Sequence, residues 1–206
     1  MNNNELKIEG KDWEIECRTE TKDIKNSVFR VRDGILYFVL AAGKDPEKEI
    51  DNMKEQIAKH PMIRKAIIKA MEFSKQGKMN LERTEEELKV IIRKKCREYL
   101  DEVNQDVDYI IIDKMKGAWG KCGYKIREGN RLVSKLMFST NMKYLPDNLM
   151  EYVIWHEVSH LIRNDHSGKF WFEVGKKFPF HRHMRTELAA FSLLIESSEK
   201  TFAGGG

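Results

Sequence analysis

The sequence predicts an α+β protein, and three observations carry that prediction. Alternating apolar residues and a hairpin signal fill the first forty positions. Capped amphipathic stripes fill the middle, and short β-rich runs then precede a series of helices after residue 105. Taken in order, residues 6–40 read as strands. Trp13, Ile15 and Cys17 alternate with Glu14 and Glu16, the period of a half-buried strand. The runs at 28–31 and 35–39 flank Arg32-Asp33-Gly34, whose Asp-Gly pair signals a tight hairpin turn.

Helices are expected across 46–103. Pro46 opens the first at a position where its missing N–H costs nothing, and Ile50, Met53 and Ile57 keep helical spacing. Pro61 opens a second, with Ile63, Ile67, Ala70 and Met71 on one face, before Gln76-Gly77-Lys78 breaks the pattern. Thr84 followed by Glu87 is a capping-box signature, and Leu88, Ile91, Ile92, Tyr99 and Leu100 supply the apolar stripe behind it.

Strands return at 109–112 and are expected to continue through Ala118-Trp119 to a turn at Arg127-Glu128-Gly129-Asn130. Another strand at 132–138 leads to a helix that starts at Pro146-Asp147 and runs to about Arg163. A short helix carrying Phe170, Trp171 and Val174 stops before Pro179, and a last one carries Met184, Leu188, Phe191 and Ile195. No internal repeat is visible. The expectation is a single domain over 1–206, in four parts: a β-rich segment (1–45), a helical segment (46–104), a core (105–200) and a flexible tail (201–206) that ends in three glycines.

A chain of 206 residues with 41% hydrophobic and 34% charged content has the composition of a globular protein with a well-charged surface. No basic segment precedes an apolar run at the N-terminus, and no stretch reaches the roughly 18 apolar residues of a spanning helix. A cytoplasmic protein without a membrane segment is expected. Cys17, Cys96 and Cys122 are odd in number and form no C-x-x-C pair, which argues against a disulfide framework or a cysteine-only zinc site. The net charge of +4 permits nucleic-acid contact without favouring it, because 37 basic residues are interleaved with 33 acidic ones.

The chemistry concentrates in residues 152–166. His156 and His160 are four apart on the expected helix, so both rings can reach one ion from the same face. Glu157 adjoins the first, where a carboxylate can hydrogen-bond a water at the metal without taking a coordination position. A catalytic zinc takes three protein ligands and keeps one position open, and His166 is the expected third. A continuing helix would carry His166 away, so the helix must end first. Asn164 is expected to end it in the left-handed conformation, and Ser167 to cap the next helix. The rival third ligands are Glu187 on a following helix and Glu173 on the nearer one. His181 and His183 either line the cleft or sit at the surface. An isolated H-E-x-x-H arises by chance in many helices. Here it comes with an apolar setting, a third histidine, a helix break and no competing cysteine cluster.

Trp119-Gly120-Lys121-Cys122, the hairpin that follows, the motif helix and the run from Asn164 to Trp171 resemble the YgjP-like metallopeptidase domain, a relative of the SprT-like and WLM zinc proteases. The resemblance reaches back to the strands around Asp33-Gly34. It implies a zincin-like metallopeptidase fold: an antiparallel sheet with the H-E-x-x-H active-site helix, preceded by the β-rich segment and the helical middle. It likewise assigns metal binding to His156, His160 and His166 and the base to Glu157. Where the family usually reads Trp-Gly-Ser-Cys, this chain has Lys121 in third place.

The expected reaction is hydrolysis of an amide bond in a peptide or protein, assisted by one zinc ion per chain, with Glu157 accepting a proton from the attacking water. Trp119 and Cys122 each have two readings. Trp119 either edges a substrate cleft or fills the core; Cys122 is either an extra ligand or a buried thiol. Two rival functions remain. One is a nucleic-acid-associated protein using Arg93-Lys94-Lys95 and Lys176-Lys177, although no aromatic residues interleave with those runs. The other is a zinc-binding protein without turnover, which Glu157 counts against, because structural sites close the fourth position with another side chain.

Overall fold

A computed structural model describes residues 5–10 and 13–198; the glycine tail expected to be flexible lies outside the described residues. The chain divides into two compact units, 1–79 together with 185–206, and 80–184.

Unit 1 is built on a four-stranded mixed sheet in the order β1-β2-β4-β3, from β1 (Glu5–Gly10), β2 (Trp13–Lys22), β3 (Val28–Arg32) and β4 (Ile35–Ala41). β1 and β2 pair antiparallel, β2 and β4 parallel, and β3 and β4 antiparallel. The turn between β3 and β4 has positive φ at both Asp33 (49°) and Gly34 (72°), as the Asp-Gly signal predicts. Alternation holds in β2, where Ile15, Cys17 and Thr19 are buried, but β4 is buried on both faces from Phe38 to Ala41.

Helix α1 (Pro46–Lys59) starts with Pro46 at its first turn, and the Asp45 carboxylate accepts from Glu47 N and Lys48 N. α2 (Pro61–Gln76) ends on Gly77 at φ 60°, ψ 39°, the left-handed cap that only glycine adopts without a Cβ penalty. Both pack on the sheet through Met53, Ile57, Ala66, Ile67, Ala70 and Phe73. Phe73 meets Phe191 of α6 (His181–Ser198) at 5.1 Å between ring centroids.

Unit 2 contains α3 (Glu85–Glu102), β5 (Tyr109–Asp113), β6 (Gly120–Glu128), β7 (Arg131–Ser139), a short 3₁₀ turn (Thr140–Tyr144), α4 (Asp147–Ile162), α5 (Gly168–Lys177) and the first residues of α6. The helical segment expected at 46–104 is thus shared between the units, with α3 grouped with the motif helix. Its capping box is complete, with Thr84 N donating to Glu87 Oε2 (2.8 Å) and Glu87 N donating to Thr84 Oγ1 (3.2 Å).

The sheet order is β5-β7-β6, with β6 antiparallel and β5 parallel to β7. This corrects the antiparallel expectation. The β6–β7 hairpin occupies one side of β7 and leaves β5 to pair on the other, in the opposite sense. The strand expected to continue through Ala118-Trp119 is also corrected. Residues 114–118 leave the sheet around Gly117, whose φ of 72° turns the chain, and contact with β7 resumes at the Trp119 carbonyl just before β6 begins. α4 packs on β6, β7, α3 and α5, and its sequence is apolar almost all round because neighbours cover nearly every side. Among the described residues, no helix is long and apolar enough to cross a membrane.

Candidate metal centre

α4 carries His156, Glu157 and His160 as expected, one helical turn separating the two histidines. The helix stops at Arg163, whose extended backbone (φ −140°, ψ 106°) turns the chain away from the axis. Asn164 is not left-handed, contrary to the sequence expectation. An Asx turn does the work instead, the Asp165 carboxylate accepting from Ser167 N at 3.2 Å. Ser167 occupies the N-cap position of α5 without a capping bond from its side chain. The turn that delivers His166 therefore rests on Arg163 and Asp165, and a left-handed asparagine is not required.

The three imidazoles converge. One ligand nitrogen from each of His156, His160 and His166 lies within 4.8 Å of the other two, and the Nε2 atoms of His156 and His166 are 3.2 Å apart. The His160 Nδ1–H donates to the Arg163 carbonyl at 3.1 Å, and because a carbonyl only accepts, this fixes the tautomer and leaves Nε2 with the lone pair. The same backbone oxygen thus marks the end of the helix and orients a candidate ligand. Burial, the largest cause, holds the His160 pKa below its ordinary value and keeps the ring neutral, the form that binds a metal. His160 is buried, His156 half-buried and His166 exposed, so the cluster opens on the His166 side.

Phe170, fully buried, backs all three rings. Its centroid lies 4.9 Å from His156, 4.4 Å from His160 in a stacked arrangement, and 4.9 Å from His166. Trp171 contacts His156 (5.7 Å) and His166 (5.6 Å) and stacks on His181 at 5.0 Å. Sequence reasoning took Phe170 and Trp171 only as packing residues of a short helix. The usable signal was two aromatic residues in the first turn of the helix that directly follows His166. His181 belongs to this ring stack, while His183 is exposed.

Glu157 is buried, and burial alone pushes its carboxyl up to about 8. It lies against β6, where a Cβ built on Gly120 would fall 2.6 Å from Glu157 Cγ. Cys122, on the same face of β6, has its thiol pushed up to about 12 by burial first and by the Glu157 charge second. It is half-buried and lies outside the histidine cluster. Lys121 points the other way and is exposed, so the position at which this chain departs from the usual family pattern does not face Glu157. Trp119 is half-buried and precedes the strand. Of the rival ligands, Glu173 pairs with Lys176 at 2.6 Å and is absent from the cluster, as is Glu187.

Three convergent imidazole nitrogens beside a buried carboxylate form a donor set that could hold a metal ion. Residues 32–191 match the family described as YgjP-like, metallopeptidase domain, and the chain belongs to that family. No curated protein matches the chain. Among solved structures it is similar to the metallopeptidase zymogens jannalysin of Methanocaldococcus jannaschii (23% identity, TM-score 0.39) and abylysin of Pyrococcus abyssi (22%, 0.38). Each alignment covers 47% of this chain, and 90% and 88% of those chains respectively.

Proposed function

We propose that the chain is a zinc-dependent peptidase in which His156, His160 and His166 hold the ion and Glu157 is the general base. The observation that supports this most is the convergence of three imidazole nitrogens within 4.8 Å, on the helix that also carries a buried carboxylate. Nitrogen donors favour zinc over the hard cations that prefer oxygen ligands. Unit 2, with its motif helix packed against a small sheet, is read as zincin-like. The exposed ring of His166 sets the side from which substrate approaches.

A zinc ion held there would supply Lewis acidity, polarising the scissile carbonyl and bringing the pKa of a water down to about 7. The remaining work falls to the chain's own residues. The Glu157 carboxylate takes the proton from the attacking water and passes it to the leaving amine. Its low-dielectric setting strengthens it as a base and excludes competing water. His160, held by the Arg163 carbonyl, keeps its Nε2 lone pair directed away from the backbone. A peptide or protein substrate in the cytoplasm completes the reading.

The basic runs support no second function of equal weight. Lys95 pairs with Glu98 and Glu151, Lys176 with Glu173, and Lys177 with Glu102.

Elemental analysis should find about one zinc per chain. Glu157→Gln should hold zinc as the parent does and lose about 10² to 10⁴-fold in turnover of a peptide selected from a library digest. His166→Ala should lose zinc retention against a chelator together with activity, while Glu187→Ala retains the metal. Parent-like cleavage by Glu157→Gln would refute the base assignment. Metal loss from Glu187→Ala with retention in His166→Ala would replace the ligand set.

A further inference from the structure

We propose that Gly120 is a positioning residue for Glu157, the missing side chain at this point of β6 fixing where the carboxylate sits. The proposal rests on the reading of Glu157 as the base and adds a second element, a strand, to what places it.

Two possible reasons for a glycine at 120 can be separated. A glycine can be required by a left-handed backbone, as at Gly34, Gly117 and Gly129, but Gly120 does not have a positive φ. The remaining reason is space. An L-residue here would place its Cβ 2.6 Å from Glu157 Cγ and 2.9 Å from Oε1, closer than real Cβ contacts come, and 3.0 Å from Cδ, at their tight limit. All three atoms belong to the side chain of Glu157, so the group that would have to move is the base itself.

The strand has little room to retreat. Gly120 is paired with Phe138 of β7, and the Trp119 carbonyl just before it accepts from Ser139 N at 2.9 Å. Phe138 and Ser139 are both buried, which fixes the ladder from behind. Glycine inside a strand weakens it and marks a close approach of something to the backbone. Here the approaching group is a carboxylate. Cys122, two residues on, extends the same wall beside Glu157.

The test uses the full chain. Gly120→Ala should retain zinc against a competing chelator as the parent does and keep KM within about two-fold, while kcat falls about 10²-fold, the cost of displacing a reacting group by roughly 1 Å. In the Glu157→Gln background the same substitution should cost no further turnover. Melting of the metal-free protein supplies a readout independent of activity. Gly120→Ala should lower the melting temperature in the parent but not in Glu157→Ala, where the new methyl occupies space the deleted carboxylate leaves. The effect of alanine on the unfolded chain is common to both backgrounds and cancels. If Gly120→Ala alone does not fold, folding of the double variant with Glu157→Ala gives the same answer.

Parent-like kcat in Gly120→Ala would overturn the proposal, as would equal falls in melting temperature in both backgrounds, or zinc loss accompanying the loss of turnover. Should the parent cleave nothing, the peptidase reading fails by itself, and the paired melting curves still decide whether Gly120 sets the place of Glu157.

Discussion

The two hairpins of this chain follow different rules. In unit 1, β3 and β4 stay in register from Val28↔Val39 to Arg32↔Ile35 and close through consecutive left-handed residues, Asp33 and Gly34. In unit 2, β6 and β7 close at Gly129, but the register shifts between Gly123 and Ile126, where β6 advances by three residues against two on β7. Lys125 sits in that bulge at φ 47°, its N–H held by Ser134 Oγ at 3.1 Å. The regular hairpin packs against α1 and α2 of its own unit. The irregular one belongs to the strand whose Gly120 and Cys122 lie beside Glu157. Local regularity is thus given up on the strand beside the proposed base, and bulges are common next to functional sites.

The largest expected effect separates packing that holds a unit together from packing that holds the site. Phe170 and Phe38 are both fully buried. Truncating either to alanine should cost about 3–5 kcal/mol in denaturant unfolding. Phe170→Ala also removes the ring that backs all three imidazoles at 4.4–4.9 Å, so it should weaken zinc retention well beyond Phe38→Ala. Equal zinc loss from the two variants would mean that the cluster depends on general stability and not on this buttress.

A smaller effect concerns pH. The folded, metal-free protein holds the Glu157 carboxyl near 8, against an ordinary value of 4.5, because burial disfavours the charge. Between those values the folded state binds the proton that the unfolded state has released, so stability must fall as pH rises. Below about 4.5 both states are protonated, and the penalty is absent. Above about 8 it is complete, on the order of a few kcal/mol. Glu157→Gln removes this slope and, besides it, relieves only the charge that the carboxylate places on the Cys122 thiol. Urea unfolding of the metal-free parent and variant at pH 5 and pH 8 should give curves that diverge at the higher pH, with the variant the more stable. Parallel behaviour would mean that the carboxylate is solvated.

Much of this was legible in the sequence, because it depends on local rules. Asp33-Gly34, the Thr84–Glu87 box, Pro46, Pro61 and the break at Gln76-Gly77-Lys78 each act within a few residues, and each appears where the pattern places it. The convergence of His156, His160 and His166 was legible for the same reason, through helical spacing and a required break. What escaped depends on partners distant in sequence. The parallel pairings of β2 with β4 and of β5 with β7 leave no mark in either strand's alternation. Nothing near Gly120 in the sequence points to its neighbour, a glutamate 37 positions away. Asn164 misled because its tolerance of left-handed backbone is a propensity, and Asp165 supplied an equally local turn.

The smallest expected effect compares the two turns directly. Gly34 and Gly129 both have positive φ, 72° and 60°, and alanine in that region costs about 1–2 kcal/mol from the approach of Cβ to the carbonyl. Around Gly129 nothing lies within 4 Å of an added Cβ, so Gly129→Ala should pay that backbone cost alone, about 1 kcal/mol. At Gly34 the new Cβ would fall 2.5 Å from Lys75 Cε and 2.6 Å from its Cγ. Those methylenes can swing aside. The turn itself cannot readily shift, because Gly34 N donates to Ser74 Oγ of α2 at 3.1 Å. Gly34→Ala should therefore cost about 2 kcal/mol, the upper end of the range. Asparagine tolerates the left-handed region, so Gly129→Asn should recover most of the loss, whereas Gly34→Asn still meets Lys75 and recovers less. Urea unfolding of the four variants measures all of these. Equal costs at 34 and 129 would show that the regular hairpin gains nothing from its tie to α2, and that the two turns differ only in the strands they join.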